Sequence, residues 1–213
     1  MKKTGIYIPV SALLCIFACI GEFVVMFVFG ASYPGYNHLY DTMSALGASV
    51  SPVSVEVSFW WVIMGVFMIL FGIGFQEAFR EKGRIATLAS WLIILYGLGE
   101  GIGSGLFRAD HTLSGLTISA IIHDILGGIG VASILLLPFI MQKVIPKIEK
   151  PAFFRMSQIF FITGLFTKLL FLFRYSSDEN NFLSLYKGLW QRLFMLNTYI
   201  YLTTIAILMI KRK

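Results

Sequence analysis

Charged residues are scarce in this chain of 213 residues, where Asp, Glu, Lys and Arg together make up 13% of the sequence. Soluble globular domains carry about 25%. Hydrophobic residues make up 57% of the chain, and its mean hydropathy is +0.81. This composition excludes an ordinary soluble domain and predicts an integral membrane protein.

Cysteine and proline are scarce as well. The two cysteines, Cys15 and Cys19, lie four residues apart on one predicted helical face, where buried thiols usually pack as small apolar groups. The prolines within the predicted spans, Pro9 and Pro138, lie toward the predicted cytoplasmic ends. Their positions argue against helices that break at the middle of the membrane, as in many transporters.

Long apolar runs dominate the chain instead. A helix that crosses a hydrocarbon core of ~30 Å needs about 20 mostly apolar residues. Six such runs fit the chain, and they lie at about 6–30, 55–79, 85–107, 115–142, 153–174 and 188–210. We therefore predict an all-α, polytopic membrane protein in which six transmembrane helices form one bundle, and in which residues 1–213 form a single domain.

Lys and Arg alternate between the ends of these spans, which accounts for the formal net charge of +6. Clusters of basic residues begin at Lys2, Arg80, Lys143 and Lys211. An excess of Lys and Arg marks cytoplasmic segments. The pattern predicts a protein of the cytoplasmic membrane with both termini in the cytoplasm, and it makes nucleic-acid binding an unnecessary explanation of the charge.

Glycines recur every four residues at Gly97, Gly101 and Gly105 in the third span. A ridge of small residues lets a second helix approach closely. The alternating glycines also resemble a dinucleotide-binding fingerprint, but no strand–turn–helix pattern surrounds them. We predict helix packing for this segment.

Apart from Glu77 and Arg155 at the basic ends, the charged residues and histidines within the spans lie in the half of the membrane opposite the basic clusters. Those in the spans are Glu22, Glu56, Glu100, His123, Asp124, Lys168, Arg174 and Arg192. Those in the neighbouring loops are His38, Asp41, Arg108, Asp110 and His111. Because a charge at the centre of a membrane helix costs ~2.5–3.5 kcal/mol, we expect several of these side chains to face the interior of the bundle. The sequence predicts an outward-facing polar pocket.

Three interpretations of this pocket are open. Buried ion pairs could fix the register of the helices without any catalysis. A metal or acid–base site could use the three histidines, His38, His111 and His123, with zinc as the metal, although no tight ligand spacing such as His-x-x-x-His occurs. The pocket could instead bind an amphiphile with a charged head group.

Roles for individual residues follow from these interpretations. For catalysis the first candidates are His123 and Asp124, with Glu100 as the orienting group and Arg108 or Arg192 as the anion-binding group. Candidate substrate-binding residues are His38, Asp41, Ser44, Arg108, Asp110, His111, Lys168, Arg192 and Glu22. The segment from Asp41 to Gly47 is typical of a helix N-cap, a short helix and a glycine stop.

The residues 33–47, Tyr-Pro-Gly-Tyr-Asn-His-Leu-Tyr-Asp-Thr-Met-Ser-Ala-Leu-Gly, and the later Ile-His-Asp at 122–124 resemble a known family. It is the prokaryotic membrane family called domain of unknown function 998. The resemblance implies six spans and no particular activity. The layout is also similar to the FRAG/DRAM/Sfk group of six-span proteins, some of which are tied to lipid-anchor remodelling.

A weaker resemblance is to the seven-span membrane hydrolases that include alkaline ceramidases and adiponectin receptors. Those proteins hold zinc with histidines, and this chain lacks their paired histidines in the last span. The function that we predict is recognition or processing of a lipid or other amphiphile at the outer leaflet. The alternatives are a transporter or proton-coupled permease that uses Glu22, Glu100 and Lys168, and a structural protein whose polar residues fix helix register.

Overall fold

The computed structural model describes residues 6–112, 115–176 and 181–212. Six helices in this part of the chain are long and apolar enough to cross a membrane. They are α1 (Tyr7–Ala31), α2 (Ser54–Ala78), α3 (Arg84–Leu106), α4 (Ile118–Val144), α5 (Pro151–Tyr175) and α6 (Lys187–Ile210). The predicted fold class is confirmed, and the chain is an integral membrane protein with six spanning helices.

Each long helix has at least 23 residues, enough at about 1.5 Å per residue to cross the hydrocarbon core. Helical bounds differ from the predicted spans by at most three residues. The largest difference is at α4, which begins at Ile118 where the sequence predicted a start near residue 115. There the Thr117 hydroxyl caps the helix by accepting a hydrogen bond from the Ala120 amide at 3.1 Å.

The helices form a closed ring in which each packs against its neighbours in sequence and α6 returns to α1. Aromatic side chains join several of these pairs, as Phe23 of α1 does with Tyr199 of α6 at 5.6 Å between ring centroids. In the middle of the ring, the Tyr96 hydroxyl of α3 donates to the Tyr199 hydroxyl at 3.1 Å. The interior of this ring is where a site can form.

One end of the ring, the basic end, holds the turn Arg80–Lys82 and residues 145–150. Lys82 pairs with Glu149 at 2.5 Å, and Arg212 pairs with Glu81, so three segments distant in sequence meet there. Between this end and the middle of the ring, side chains such as Phe75, Leu137 and Ile205 are fully buried. The basic half of the ring is therefore a packed apolar core.

The opposite end, the loop end, gathers residues 32–53, residues 107–112 and 115–117, and residues 181–186. A 3₁₀ turn covers Met43–Gly47, and a four-residue helix covers Phe182–Leu185. Two short strands, β1 (His111–Thr112) and β2 (Gly115–Leu116), pair antiparallel. Gly115 has a φ of +122°, a conformation that favours glycine.

The glycine-rich segment of α3 adopts a π-helix over Gly97–Gly103. Its predicted packing role is confirmed, because a Cβ added at Gly101 would lie 2.3 Å from the Gly65 Cα of α2. A Cβ at Gly99 would lie 2.2 Å from the Leu126 carbonyl oxygen of α4. The segment is held between two helices, and its wider turn was not predicted from the sequence.

Cys15 and Cys19 are buried, free thiols with their sulfur atoms 4.0 Å apart. This confirms the prediction that they pack as small groups on one helical face.

Candidate functional site

A cavity of about 230 Å³ lies inside the ring at the loop end. Every spanning helix contributes to its lining, and so do Met43 and Ser44 of the 3₁₀ turn. Its acidic and basic lining residues, with one histidine, are Glu22, Glu100, His123, Asp124, Lys168 and Arg174. The cavity therefore brings together charged groups from α1, α3, α4 and α5.

Glu22 of α1 is 1% exposed, and both of its carboxylate oxygens accept hydrogen bonds from indoles of α2. The Trp60 Nε1–H donates to Oε2 at 2.6 Å, and the Trp61 Nε1–H donates to Oε1 at 3.1 Å. Two donors that converge on one carboxylate compensate for its loss of hydration. Glu22 is thus a fixed part of the wall, with its oxygens already engaged.

Glu100 of α3 lies in the middle of the π-helix and faces α4 across Gly127. A Cβ added at Gly127 would lie 3.0 Å from the Glu100 Oε2, so the glycine leaves space for this carboxylate. Among the described residues, no hydrogen bond to the Glu100 side chain is present. The buried Ser104 Oγ, one turn farther along α3, has no hydrogen-bond partner there either. These two groups form the acidic wall of the cavity, with oxygens available as acceptors.

The basic wall of the cavity comes from α5. The Lys168 ammonium lies 4.9 Å from the Phe171 ring centroid and 6.0 Å from that of Phe194. The Arg174 guanidinium lies over Phe171 at 4.4 Å, and its buried Nε has no hydrogen-bond partner among the described residues. Aromatic faces attract both cations, but they do not neutralise them.

The lining of the cavity reaches exposed residues of α4 and α5, and we call this place the side opening. Gly128 of α4 lines the cavity and is exposed, and a Cβ added there would meet nothing within 4 Å. Leu172 and Tyr175 of α5 also line the cavity, although they are 46% and 64% exposed. The Asp124–Arg174 pair bridges the two helices at 3.6 Å. The cavity therefore communicates with the outer surface of the helix ring.

His123 is 8% exposed and lines the cavity from α4. Its Nδ1 lies 2.8 Å from the Phe107 carbonyl oxygen, and a carbonyl oxygen only accepts, so Nδ1 carries the hydrogen. In the neutral imidazole this tautomer leaves Nε2 as an acceptor. The ring is held by this bond and can offer Nε2 for proton transfer.

Arg192 of α6 does not line the cavity but organises the loop that covers it. The Nη1 group donates to the Asp41 carbonyl oxygen at 2.9 Å and to the Gly188 carbonyl oxygen of α6 at 3.0 Å. The Nη2 group donates to the Tyr36 hydroxyl and to His38 Nδ1, the latter at 3.1 Å. Both terminal nitrogens of the arginine predicted to bind an anion are therefore engaged by the loop and by α6.

His38 and Asp41 also lie outside the cavity lining, whereas Ser44 belongs to it. Burial and the neighbouring Arg192 lower the pKa of His38 below its ordinary value. The prediction that Asp41 caps a short helix is wrong, because Thr42 holds that position and makes no side-chain cap bond. The Asp41 carboxylate instead accepts from the Asn37 amide at 2.7 Å and closes a turn within the loop.

Arg108 and Asp110 connect the two loops above the cavity. The Arg108 Nη1 group donates to the Ser49 and Ser54 hydroxyls, each at 3.3 Å. The Asp110 carboxylate accepts from the backbone amide and the hydroxyl of Ser49, each at 2.7 Å. Neither residue lines the cavity. His111 belongs to β1, and its side chain lies outside the described part of the structure.

Residues 16–208 match the sequence model of the family described as protein of unknown function (DUF998). The chain belongs to this family. The match covers every residue that lines the cavity. No curated protein and no solved structure matches the chain. The likeness to the FRAG/DRAM/Sfk group stays a prediction.

Metal binding also stays a prediction. Within residues 6–112, 115–176 and 181–212, no group of three or more His, Cys, Asp or Glu residues could hold a metal ion. His38 and His123 make separate contacts, one with Arg192 and the other with the Phe107 carbonyl. The described part of the chain therefore gives no support to a zinc site built on these two histidines.

Sequence reasoning missed several residues of the site. Trp60 and Trp61 lie in a predicted apolar span, although each indole carries one hydrogen-bond donor. Nothing in the sequence distinguishes Gly128 from its neighbour Gly127, and Phe171 and Phe194 also lie in predicted apolar spans. One signal in the sequence could have identified the two tryptophans. Glu22 is an acid within the first span, and the next span carries Trp60 and Trp61 in tandem at a similar depth.

Proposed function

We propose that the cavity binds the charged head group of a lipid or other amphiphile that enters from the bilayer between α4 and α5. One observation carries the proposal: a cavity lined by both acidic and basic side chains has a side opening at Gly128. An amphiphile is the class of ligand that needs both a polar chamber and an apolar exit for its chains.

The size of the cavity supports the same class. Pockets for drug-sized molecules measure ~300–1,000 Å³, and this cavity measures about 230 Å³. A head group fits this space, but the chains of a lipid do not. The chains would lie along the exposed faces of α4 and α5, where Ile125, Leu169 and Leu172 face outward.

The orientation belongs to the proposal as well. Lys and Arg cluster at the basic end, and cytoplasmic segments carry such an excess. We therefore place the basic end and both termini in the cytoplasm, and the cavity in the outer half of the cytoplasmic membrane. The ligand would come from the outer leaflet.

Processing of the bound amphiphile would use His123 and Asp124. Both line the cavity, and the Phe107 carbonyl fixes the tautomer of His123 so that Nε2 can accept a proton. Asp124 lies at the opening, where it pairs with Arg174. Recognition of the amphiphile without any catalysis would need only the charged side chains of the cavity walls.

The permease alternative needs a path to the basic end. Below the cavity, the Tyr96–Tyr199 hydrogen bond crosses the ring, and fully buried apolar residues such as Phe71 and Leu137 follow. Among the described residues, no buried charged side chain lies in that direction, and the buried Ser90 and Ser157 hydroxyls donate to backbone carbonyls within the bundle. This favours a closed-ended site over a transport path.

Binding can be tested by native mass spectrometry of the purified full chain, titrated with dioleoyl phospholipids. We expect one saturable lipid adduct and at least a tenfold weaker adduct in Gly128→Trp, because the indole would fill the side opening. The matched control is Ile129→Trp, since Ile129 is adjacent, faces outward and is 47% exposed. Equal adducts in the two variants would contradict entry at Gly128.

A further inference from the structure

The charged lining of the cavity is divided among the helices: both basic side chains come from α5, whereas the acidic side chains come from α1, α3 and α4. The α5 side carries Lys168 and Arg174, and the α3 side carries Glu100 and Ser104. From this division we infer that the head group is zwitterionic, with an anionic phosphate or carboxylate at Lys168 and Arg174 and a protonated primary amine at Glu100 and Ser104. The inference rests on the proposed function and names the chemical class of its ligand.

The basic wall lacks a full complement of partners. Among the described residues, no carboxylate oxygen lies within 4.0 Å of the Lys168 ammonium. Arg174 donates to the Tyr175 hydroxyl and reaches Asp124 only at 3.6 Å, longer than the ~2.7–2.9 Å of a charge-assisted hydrogen bond. Its Nε has no acceptor among the described residues. Because incompletely compensated charges in a membrane interior are costly, an anion between these two cations would stabilise both.

The acidic wall offers acceptors. Glu22 is already engaged by two indoles, so it does not need a ligand. Glu100 and Ser104 have oxygens free of hydrogen bonds from the described residues, and both lie on one face of α3. A primary ammonium carries three N–H donors and can donate to both. A quaternary ammonium has no N–H and would leave these acceptors unsatisfied.

The two walls face each other without forming an ion pair, which is why a ligand with a single charge does not complement both of them. Lys168 and Glu100 are close enough to interact electrostatically, yet they do not form an ion pair within 4.0 Å. A purely anionic ligand at Lys168 would add negative charge opposite Glu100. A purely cationic ligand would have the converse effect on Lys168. A head group with both charges, oriented across the cavity, complements both walls.

The test compares lipids with identical dioleoyl chains and different head groups, namely phosphatidylethanolamine, phosphatidylglycerol and phosphatidylcholine. Native mass spectrometry of the full chain with equimolar lipids reports relative binding. We expect phosphatidylethanolamine to bind at least about tenfold more tightly than the other two, since its ammonium donates to a charged acceptor.

Substitutions in the acidic and basic walls test whether these walls cause the preference for phosphatidylethanolamine. Glu100→Gln should bring the ratio of phosphatidylethanolamine to phosphatidylglycerol close to one, and Ser104→Ala should reduce it by roughly threefold. Lys168→Gln should weaken all three lipids, because each carries a phosphate. The controls are Glu56→Gln and Lys143→Gln, two exposed positions outside the cavity, which should leave the ratio unchanged. Thermal unfolding in detergent identifies any variant that fails to fold, and Ser104→Ala keeps the test valid if Glu100→Gln does so.

The outcomes separate this inference from the proposed function. If phosphatidylglycerol binds as tightly as phosphatidylethanolamine through the Gly128 opening, the zwitterion is overturned while amphiphile binding stands. Equal binding of phosphatidylcholine and phosphatidylethanolamine overturns the primary amine. If no lipid forms a saturable adduct, the proposed function itself fails.

Discussion

At the scale of single residues, the Glu22 carboxylate has the most complete set of partners in the cavity wall. It is 1% exposed, and each oxygen accepts from one indole of the tandem Trp60–Trp61. A carboxylate has two equivalent acceptor oxygens, and an amide has one acceptor and one donor. This difference makes the site sensitive to an otherwise small substitution.

Glu22→Gln should therefore lower the stability of the protein. The glutamine oxygen can accept from one indole, but its NH₂ group would face the other N–H and leave a buried donor without a partner. We expect a loss of about 1–3 kcal/mol, measured as the free energy of unfolding in detergent. Glu56→Gln, at an exposed position in the first turn of α2, should cost less than about 1 kcal/mol. Equal losses at the two positions would contradict the role of the indoles.

His38 predicts a pH dependence of the covering loop. Burial and Arg192 lower its folded pKa below the ordinary 6.5, so the unfolded loop binds the proton more readily than the folded one. The contribution of His38 to loop stability is therefore present above pH ~6.5 and is lost as the pH falls from there toward the folded pKa.

Hydrogen–deuterium exchange of residues 36–44, corrected for the intrinsic effect of pH, should become faster between pH 7 and pH 5. His38→Gln keeps an acceptor for Arg192 without a titrating group, and this variant should lose most of the dependence. An unchanged pH response in His38→Gln would assign it to another group.

At the scale of elements, the π-helical part of α3 places Glu100 while its glycines contact two neighbouring helices. Gly101 approaches the Gly65 Cα of α2, and Gly99 approaches the Leu126 carbonyl of α4. A π-helical turn within an α-helix is often found at a functional site. In α3 it coincides with the acidic wall of the cavity.

Replacement by alanine should change the stability of the protein in opposite directions at two glycines. Gly101→Ala places a methyl group 2.3 Å from backbone that cannot move aside, so we expect a loss of about 1–3 kcal/mol. Gly128→Ala meets nothing within 4 Å and gains helix propensity, so we expect a gain of up to ~1 kcal/mol. Free energies of unfolding in detergent measure both, and destabilisation by Gly128→Ala would contradict the open space at that position.

The sequence predicted the elements better than their local geometry. Spacing by four identified Gly97, Gly101 and Gly105 as a packing ridge, because that pattern depends only on helical periodicity. The π-helical turn was not predictable, since it depends on how closely α2 and α4 approach α3. Arg192 was predicted to bind an anion because the order of the spans gives its depth in the membrane. The loop residues that accept its hydrogen bonds are far away in sequence and could not be predicted.

At the scale of the whole molecule, six helices form a ring with an apolar half and a half that holds the cavity. The hydrophobic composition of the spanning helices is enough to explain the apolar half. The cavity needs several polar side chains at one depth, and the alternation of spans made that depth predictable for Glu22, Glu100, His123 and Lys168. The sequence shows the glycine at 128 but did not reveal the side opening, because that depends on how α4 and α5 pack and on which way Gly128 faces.

The proposed orientation places residues 176–186 outside the cell. Ser177 belongs to the segment 177–180, which lies outside the described residues, and it serves as a labelling site. In a background without Cys15 and Cys19, a cysteine at Ser177 should react with a membrane-impermeant maleimide added to intact cells. A cysteine at Lys147, near the basic end, should react only after the cells are opened. The reverse pattern would overturn the orientation.

The central claim is that an amphiphile occupies the cavity with its head group between Lys168 and Glu100. A cryo-electron microscopy structure of the full chain in lipid nanodiscs, with a bound antibody fragment to aid alignment, tests it most directly. We predict head-group density between these two residues, with chain density that leaves beside Gly128 and runs between α4 and α5. A cavity that holds only water, with an ordered bilayer around the ring, would contradict the account.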